Sequence, residues 1–254
     1  MNKTQEHFDN RRLGQSNGAV LLDPPGEWVD VPPAALDYGL PIQQIQRMDS
    51  AETGILREAA ERLIGLAALL ATLPVSLLVG LAIWVDSPGP VLFRQWRVGK
   101  GGKLFRFTKF RTYHADAKEK WPELYTYRYT SEEVDRPCFK VPGDPRATRV
   151  GRWLRQSTLD ELPNFWHVAI GDMALVGPRP EIPEMLPYYR PEELAKFTVR
   201  PGVTGISQIS GRGLLRFRET AKLDLEYVRT RTFWGDVRIA FVTVSKVIFR
   251  TGAF

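Results

Sequence analysis

From Leu63 to Trp84 the chain reads LIGLAALLATLPVSLLVGLAIW, 22 residues without a charge. An apolar run of that length reads as a membrane-embedded helix, because a buried helix of a soluble domain rarely needs one so long or so unbroken. Pro74 sits near its middle. Proline removes a backbone hydrogen bond and kinks a helix, and the roughly ten residues on either side each cover about 15 Å, half a bilayer. Arg57 and Arg62 precede the run, while Arg94, Arg97 and Lys100 follow it, so neither end is marked as the non-cytoplasmic one. Both observations favour a re-entrant helical hairpin over a single span.

The rest of the chain is basic, with 35 Lys+Arg against 29 Asp+Glu and a net charge of +6. That balance favours acidic partners such as phosphate esters, anionic lipid head groups or nucleic acid. The single cysteine, Cys138, excludes an intramolecular disulfide, and with only His7, His114 and His167 beside it a Cys/His metal cluster is excluded too. A reducing compartment is expected. The N-terminus, MNKTQEHFDNRRLGQ, has no apolar core and does not read as a cleaved signal. Residues 1–54, with Pro24-Pro25-Gly26 and Pro32-Pro33, show no sustained period and are expected to form a flexible extension.

Past the turn Ser87-Pro88-Gly89-Pro90, the stretch VLFRQWRVGKGGKLFRFTKFRT predicts a basic β-hairpin around Gly99-Lys100-Gly101-Gly102. Arg94, Arg97, Lys103, Arg106, Lys109 and Arg111 could line a phosphate-binding surface, or form an ordinary solvated strand face. Near the C-terminus, FWGDVRIAFVTVSKVIF mixes apolar residues with Arg238 and Lys246, as either an interfacial or a core-facing amphipathic helix would.

Residues 151–180, GRWLRQSTLDELPNFWHVAIGDMALVGPRP, concentrate the chemistry. Arg152 and Arg155 precede the adjacent acids Asp160 and Glu161, and the rigid turn Gly177-Pro178-Arg179-Pro180 follows. Adjacent side chains on a helix diverge by about 100°, so the acids cannot share a proton but can flank one phosphate, one attacking it and the other holding a cation. Thr158-Leu159-Asp160-Glu161 is also a capping-box pattern, which would give both acids a structural role.

Taken in order, FRQWRVGKGGKLFRFTKFRT, DPRATRVGRWLRQSTLDELPNFWHV, GDMALVGPRP and RPGVTGISQISGR resemble the bacterial sugar transferases, the monotopic phosphoglycosyl transferases. The resemblance runs from about Arg57 to the C-terminus. It implies that Asp160 attacks the sugar-bearing phosphate of a UDP-sugar, releasing UMP and leaving a phosphosugar on the carboxylate. Polyprenyl (undecaprenyl) phosphate then takes the phosphosugar. It further implies that Glu161 binds the required Mg²⁺, that Arg155 clamps phosphate and that Arg179 contacts the nucleotide. Lys109, Arg111, Asp172 and Arg200 are weaker carry-overs.

The chain departs from the family pattern at Leu73, where a serine commonly precedes the kink proline, at Glu61 for an aspartate, at Tyr113 for a methionine and at Leu162-Pro163-Asn164 for an LPQ-type run.

The expected fold is mixed α/β and mostly helical: a membrane re-entrant helix over residues 55–86, then a small cytoplasmic catalytic domain over 87–254 with a short β-hairpin and interfacial helices. The expected place is the cytoplasmic face of a bacterial inner membrane. Expected partners are a UDP-sugar donor, polyprenyl phosphate, the lipid bilayer and a second copy of the chain in a homodimer. Nucleic acid is not expected, because no recognition motif accompanies the charge. The competing class is a non-catalytic basic membrane adaptor that holds anionic lipid or partner proteins.

Overall fold

The computed structural model describes residues 54–125, 129–130, 133–134, 143–211 and 215–249. The N-terminal extension expected before Gly54, and Cys138, lie outside them. Every described residue belongs to one compact unit, Pro41–Phe254.

The apolar run forms part of helix α1, Ile55–Asp86, 32 residues with Pro74 inside. At the helical rise this is about 48 Å, and the two arms expected on either side of Pro74 are parts of this one element. The polar bonding that Leu73 cannot supply comes from its neighbour: Thr72 Oγ1 donates to the carbonyls of Ala68 (2.7 Å) and Leu69 (3.2 Å), back-bonding that bends a helix just before the proline.

Both arms of α1 dock on the same domain. In the first arm, Glu61 and Gly65 are buried, and a Cβ at position 65 would stand 2.8 Å from Val168 Cβ, so glycine is what lets the two backbones meet. In the second arm, Val79 and Ile83 join Phe110 and Leu154 in a core cluster. From Leu66 to Leu78 no residue is buried, and Leu70, Leu77 and Leu78 are exposed. A helix with an apolar middle left bare and polar ends tied down is built to put that middle into lipid.

The expected hairpin is present. Strand β1 (Leu92–Val98) pairs antiparallel with β2 (Leu104–Phe110) in the register Phe93↔Lys109, Gln95↔Phe107, Arg97↔Phe105. After the short helix α2 (Ala117–Lys120) come α3 (Arg149–Ser157) and α4 (Asn164–Ile170). A second, parallel pair was not anticipated: β3 (Ala174–Val176) beside β4 (Gly202–Thr204), three residues each and too short to show alternation. Helices α5 (Ile206–Gly211), α6 (Phe217–Thr230) and α7 (Phe233–Ile248) complete the unit. Phe105, Phe107, Val168 and Met173 form a core between hairpin and α4, and Val176, Tyr227 and Ile239 form one between β3, α6 and α7. Helix α7 buries Asp236 and Ile239 but leaves Phe233, Trp234, Phe241 and Val244 exposed.

Candidate active site

Helix α3 starts at Thr148, whose Oγ1 accepts from Gly151 N–H at 2.9 Å, and it stops at Thr158. Thr158 is left-handed (φ 61°), the sole non-glycine residue with positive φ among those described. That conformation costs a β-branched residue on the order of 1 kcal/mol and reverses the chain sharply. One tight turn, Leu159–Glu161, follows before Pro163 leads into α4. The expected capping box does not form: Thr158 Oγ1 donates to the Ser157 carbonyl, and the Glu161 carboxylate turns to Arg179 instead of the cap. Thr158 both closes α3 and opens the single turn Leu159–Glu161, and in its left-handed conformation its side chain makes no cap bond to that turn.

Arg179 Nη2 donates to Glu161 Oε1 at 2.8 Å. The turn that carries Arg179 is held from both sides. Gly177 N–H donates to the Thr204 carbonyl (2.8 Å) and Gly202 N–H to the Pro178 carbonyl (2.9 Å). A Cβ on Gly177 would fall 2.6 Å from the Arg200 carbonyl, so no other residue fits. On the hairpin side, Arg97 Nη1 donates to the Pro180 carbonyl at 3.0 Å.

The two acids are driven apart electrostatically. Burial pushes the Asp160 carboxyl up to about 6, Lys109 opposes the rise, Glu161 adds to it, and Arg179 and Arg155 also oppose it. Burial acts on Glu161 in the same direction, but the charge and hydrogen bond of Arg179, with Lys109 and Arg97, hold it below its ordinary value. Burial lowers Lys109, partly offset by Asp160. Neighbouring carboxylates pushed in opposite directions are suited to different tasks.

Asp160, Glu161, Lys109, Arg155 and Arg179 therefore lie within electrostatic reach of one another. Arg155 is braced from behind by a hydrogen bond to the Tyr113 hydroxyl and by Asp144 at 3.6 Å. Arg111 and Arg200 are engaged elsewhere. Arg111 bonds Ser87 at the end of α1, while Arg200 donates to Glu61 Oε2 at 2.7 Å and to the Met173 carbonyl at 3.4 Å. Asp172 meets His167, whose Nε2 accepts from Thr108 N–H at 3.1 Å, next to Lys109 on β2.

Sequence reasoning placed Arg97 among the hairpin bases but not in the site. Strand alternation was the available signal, since positions 93, 95 and 97 share a face with Lys109.

Among the described residues no group of three or more His, Cys, Asp or Glu could hold a metal ion. Glu161, beside Asp160, offers a hard carboxylate oxygen donor. That donor fits Mg²⁺, which keeps several waters and binds through one or two carboxylates plus substrate phosphates rather than in an all-protein cage.

Two adjacent carboxyls shifted in opposite directions, with Lys109, Arg97, Arg155 and Arg179 acting on them, concentrate the basic side chains that suit phosphate oxygens. The chain belongs to the bacterial sugar transferase family, whose model matches residues 52–250. It is 39% identical to the undecaprenyl-phosphate glucose phosphotransferase of Komagataeibacter xylinus, over 83% of this chain and 39% of that protein. It is 40% identical to the UDP-glucose:undecaprenyl-phosphate glucose-1-phosphate transferase of Caulobacter vibrioides, over 74% of this chain and 68% of that one. The exopolysaccharide production protein ExoY of Sinorhizobium fredii is 33% identical over 79% of this chain and 89% of its own length. The chain thus spans less than half of the Komagataeibacter relative and most of the Sinorhizobium one.

Proposed function

We propose that this protein transfers a sugar phosphate from a UDP-sugar to polyprenyl phosphate, an early membrane step of exopolysaccharide or related glycoconjugate synthesis. The carrying observation is the opposite tuning of Asp160 and Glu161 beside Arg179. A buried carboxylate freed of part of its hydration is a stronger nucleophile than one in water, provided nearby cations reduce repulsion from the phosphate. Lys109 and Arg155 do so here.

In the proposed sequence an Asp160 carboxylate oxygen attacks the sugar-bearing phosphorus, forming an O–P bond as the bridging oxygen leaves with UMP. A phosphate oxygen of the polyprenyl acceptor then attacks the same phosphorus, and the Asp160 carboxylate is released. Arg179, bound to Glu161, orients the nucleotide side of the donor, and Arg155 grips its phosphates. Bound through Glu161 and the donor phosphates, Mg²⁺ would neutralise charge on the leaving phosphate. The acceptor reaches the carboxylate along the bilayer surface, where the exposed middle of α1 and the aromatic face of α7 enter lipid on the cytoplasmic side of the membrane.

Intact-mass analysis of the full chain in lipid nanodiscs, with Mg²⁺ and a panel of UDP-sugars, tests the reading. A phosphosugar adduct is expected on the wild type and none on Asp160→Asn, together with loss of UMP release. Absence of any adduct, with binding to anionic vesicles retained, would point instead to a membrane adaptor.

A further inference from the structure

Behind the Gly177–Pro180 turn lies a buried charge that the proposed reaction does not use. Lys196, in the segment Pro191–Thr198, is 3% exposed. Its ammonium donates to the Tyr189 hydroxyl at 2.9 Å and lies 2.9 Å from Asp224 Oδ2 and 3.9 Å from Glu181 Oε2. Asp224, from α6, is fully buried; its Oδ1 accepts from Ser207 Oγ at 2.8 Å, while its Oδ2 faces the ammonium out of line for a hydrogen bond. Tyr189 passes the connection on by donating to Glu181 Oε2 at 2.8 Å.

Glu181 is where this network meets the site. Its backbone carbonyl accepts from Val98 N–H at 2.9 Å, and its Oε1 accepts from Ile182 N–H at 3.1 Å. The residue before it, Pro180, accepts from Arg97, and the residue before that is Arg179, bound to Glu161. A buried ammonium and carboxylate are expensive to desolvate, and an apolar pair of similar volume commonly serves stability as well. What an apolar pair could not do is hold a carboxylate at position 181 by charge and direction.

We propose that Lys196 is a positioning residue for the transfer site: it fixes Glu181, and through Glu181 the turn that stands Arg179 against Glu161. Its effect on turnover rests on the transfer reading of Asp160 and Glu161; its effect on the turn does not.

The test uses the full chain in nanodiscs and two variants, Glu181→Gln and the charge-neutral pair Lys196→Met with Asp224→Asn. Hydrogen exchange at the Arg179, Glu181 and Ile182 amides is expected to accelerate about tenfold in both, while exchange in the 92–110 hairpin stays within about twofold of wild type. Unchanged exchange in the turn, or equal acceleration everywhere, would overturn the proposal. The second readout is a double-mutant cycle on UMP release: Glu181→Gln should lower kcat about tenfold alone but less than about twofold when Arg179→Lys is already present. Additive losses would show that Glu181 does not act through Arg179. If Asp160→Asn proves active, the transfer reading falls, whereas the exchange result still decides the role of Lys196.

Discussion

Arg179 and Glu161 are joined by a 2.8 Å hydrogen bond that brings together two motifs lying 18 residues apart. The bond helps hold the Glu161 carboxyl below its ordinary value and fixes the direction of the Arg179 guanidinium, so the placement of each depends on the other. Replacing Arg179 by Gln removes the largest of the charges that together outweigh burial at Glu161. UMP release should fall about tenfold to a hundredfold, as expected for loss of one charged contact to a phosphate donor. The Mg²⁺ concentration needed for half-maximal activity should also rise; titrating Mg²⁺ against initial rate checks both, and an unchanged requirement would separate Arg179 from the metal ligand.

The acid limb of kcat/KM should report Asp160. On the proposed transfer reading its carboxyl must be ionised to attack, and burial pushes it up to about 6, so activity is expected to rise with pH through that value. Mg²⁺ bound beside Asp160 would pull the limb lower, so the profile belongs at the lowest Mg²⁺ that sustains turnover. Lys109 is the strongest influence opposing the rise, and Lys109→Met should move the limb to higher pH. A limb that stays in place would remove Lys109 from the site.

His167 offers a pH test of stability. Burial lowers its pKa, with Asp172 working against that, and neutral Nε2 accepts from Thr108 N–H. Because the folded state resists protonation, the unfolded state binds more protons below the ordinary histidine value of about 6.5. Stability should therefore be complete above that pH, fall as pH drops through it, and level off below the folded-state pKa. Thermal unfolding from pH 8 to pH 5 should show a steeper loss in wild type than in His167→Gln; parallel curves would contradict this assignment.

Arg200 separates structure from catalysis. Its bond to the buried Glu61 fastens the first arm of α1, and Arg57 joins Glu61 at 3.0 Å while also pairing with Asp236 of α7. Arg200→Met should cost about 2 kcal/mol, less than a lone buried pair because Arg57 still serves Glu61. The donor KM should stay within about twofold. A tenfold rise in KM without a change in melting temperature would return Arg200 to the donor site.

Topology is open to labelling. With Cys138 replaced, cysteines at Gly54 and Pro88, on either side of α1, are expected to react with an impermeant reagent from the cytoplasmic side alone. Reaction from opposite sides would establish a span.

The membrane helix, the hairpin and the acidic pair were legible in the sequence because each has a local signature: unbroken apolarity, β-rich runs around glycines, and adjacent carboxylates between arginines. The sequence also pointed to Arg155, Lys109 and Arg179. It misdirected at Thr158, where a capping-box pattern concealed a left-handed residue, since spacing does not reveal the sign of φ. Arg200 sits in a motif, yet its partner Glu61 is 139 positions away, and pairing over that distance leaves no local trace. Strands β3 and β4 were invisible for a related reason: their partners are set by the tertiary fold, not by neighbours in sequence.

Because α1 is seated on the catalytic unit at both ends, no linker separates the part that enters lipid from the part that carries Asp160. On the proposed transfer reading, the Asp160 carboxylate would keep a fixed height relative to the bare middle of α1. Membrane thickness would then be a kinetic variable for the proposed transfer: in bilayers of longer or shorter acyl chains the acceptor's phosphate would shift relative to a carboxylate that cannot follow it.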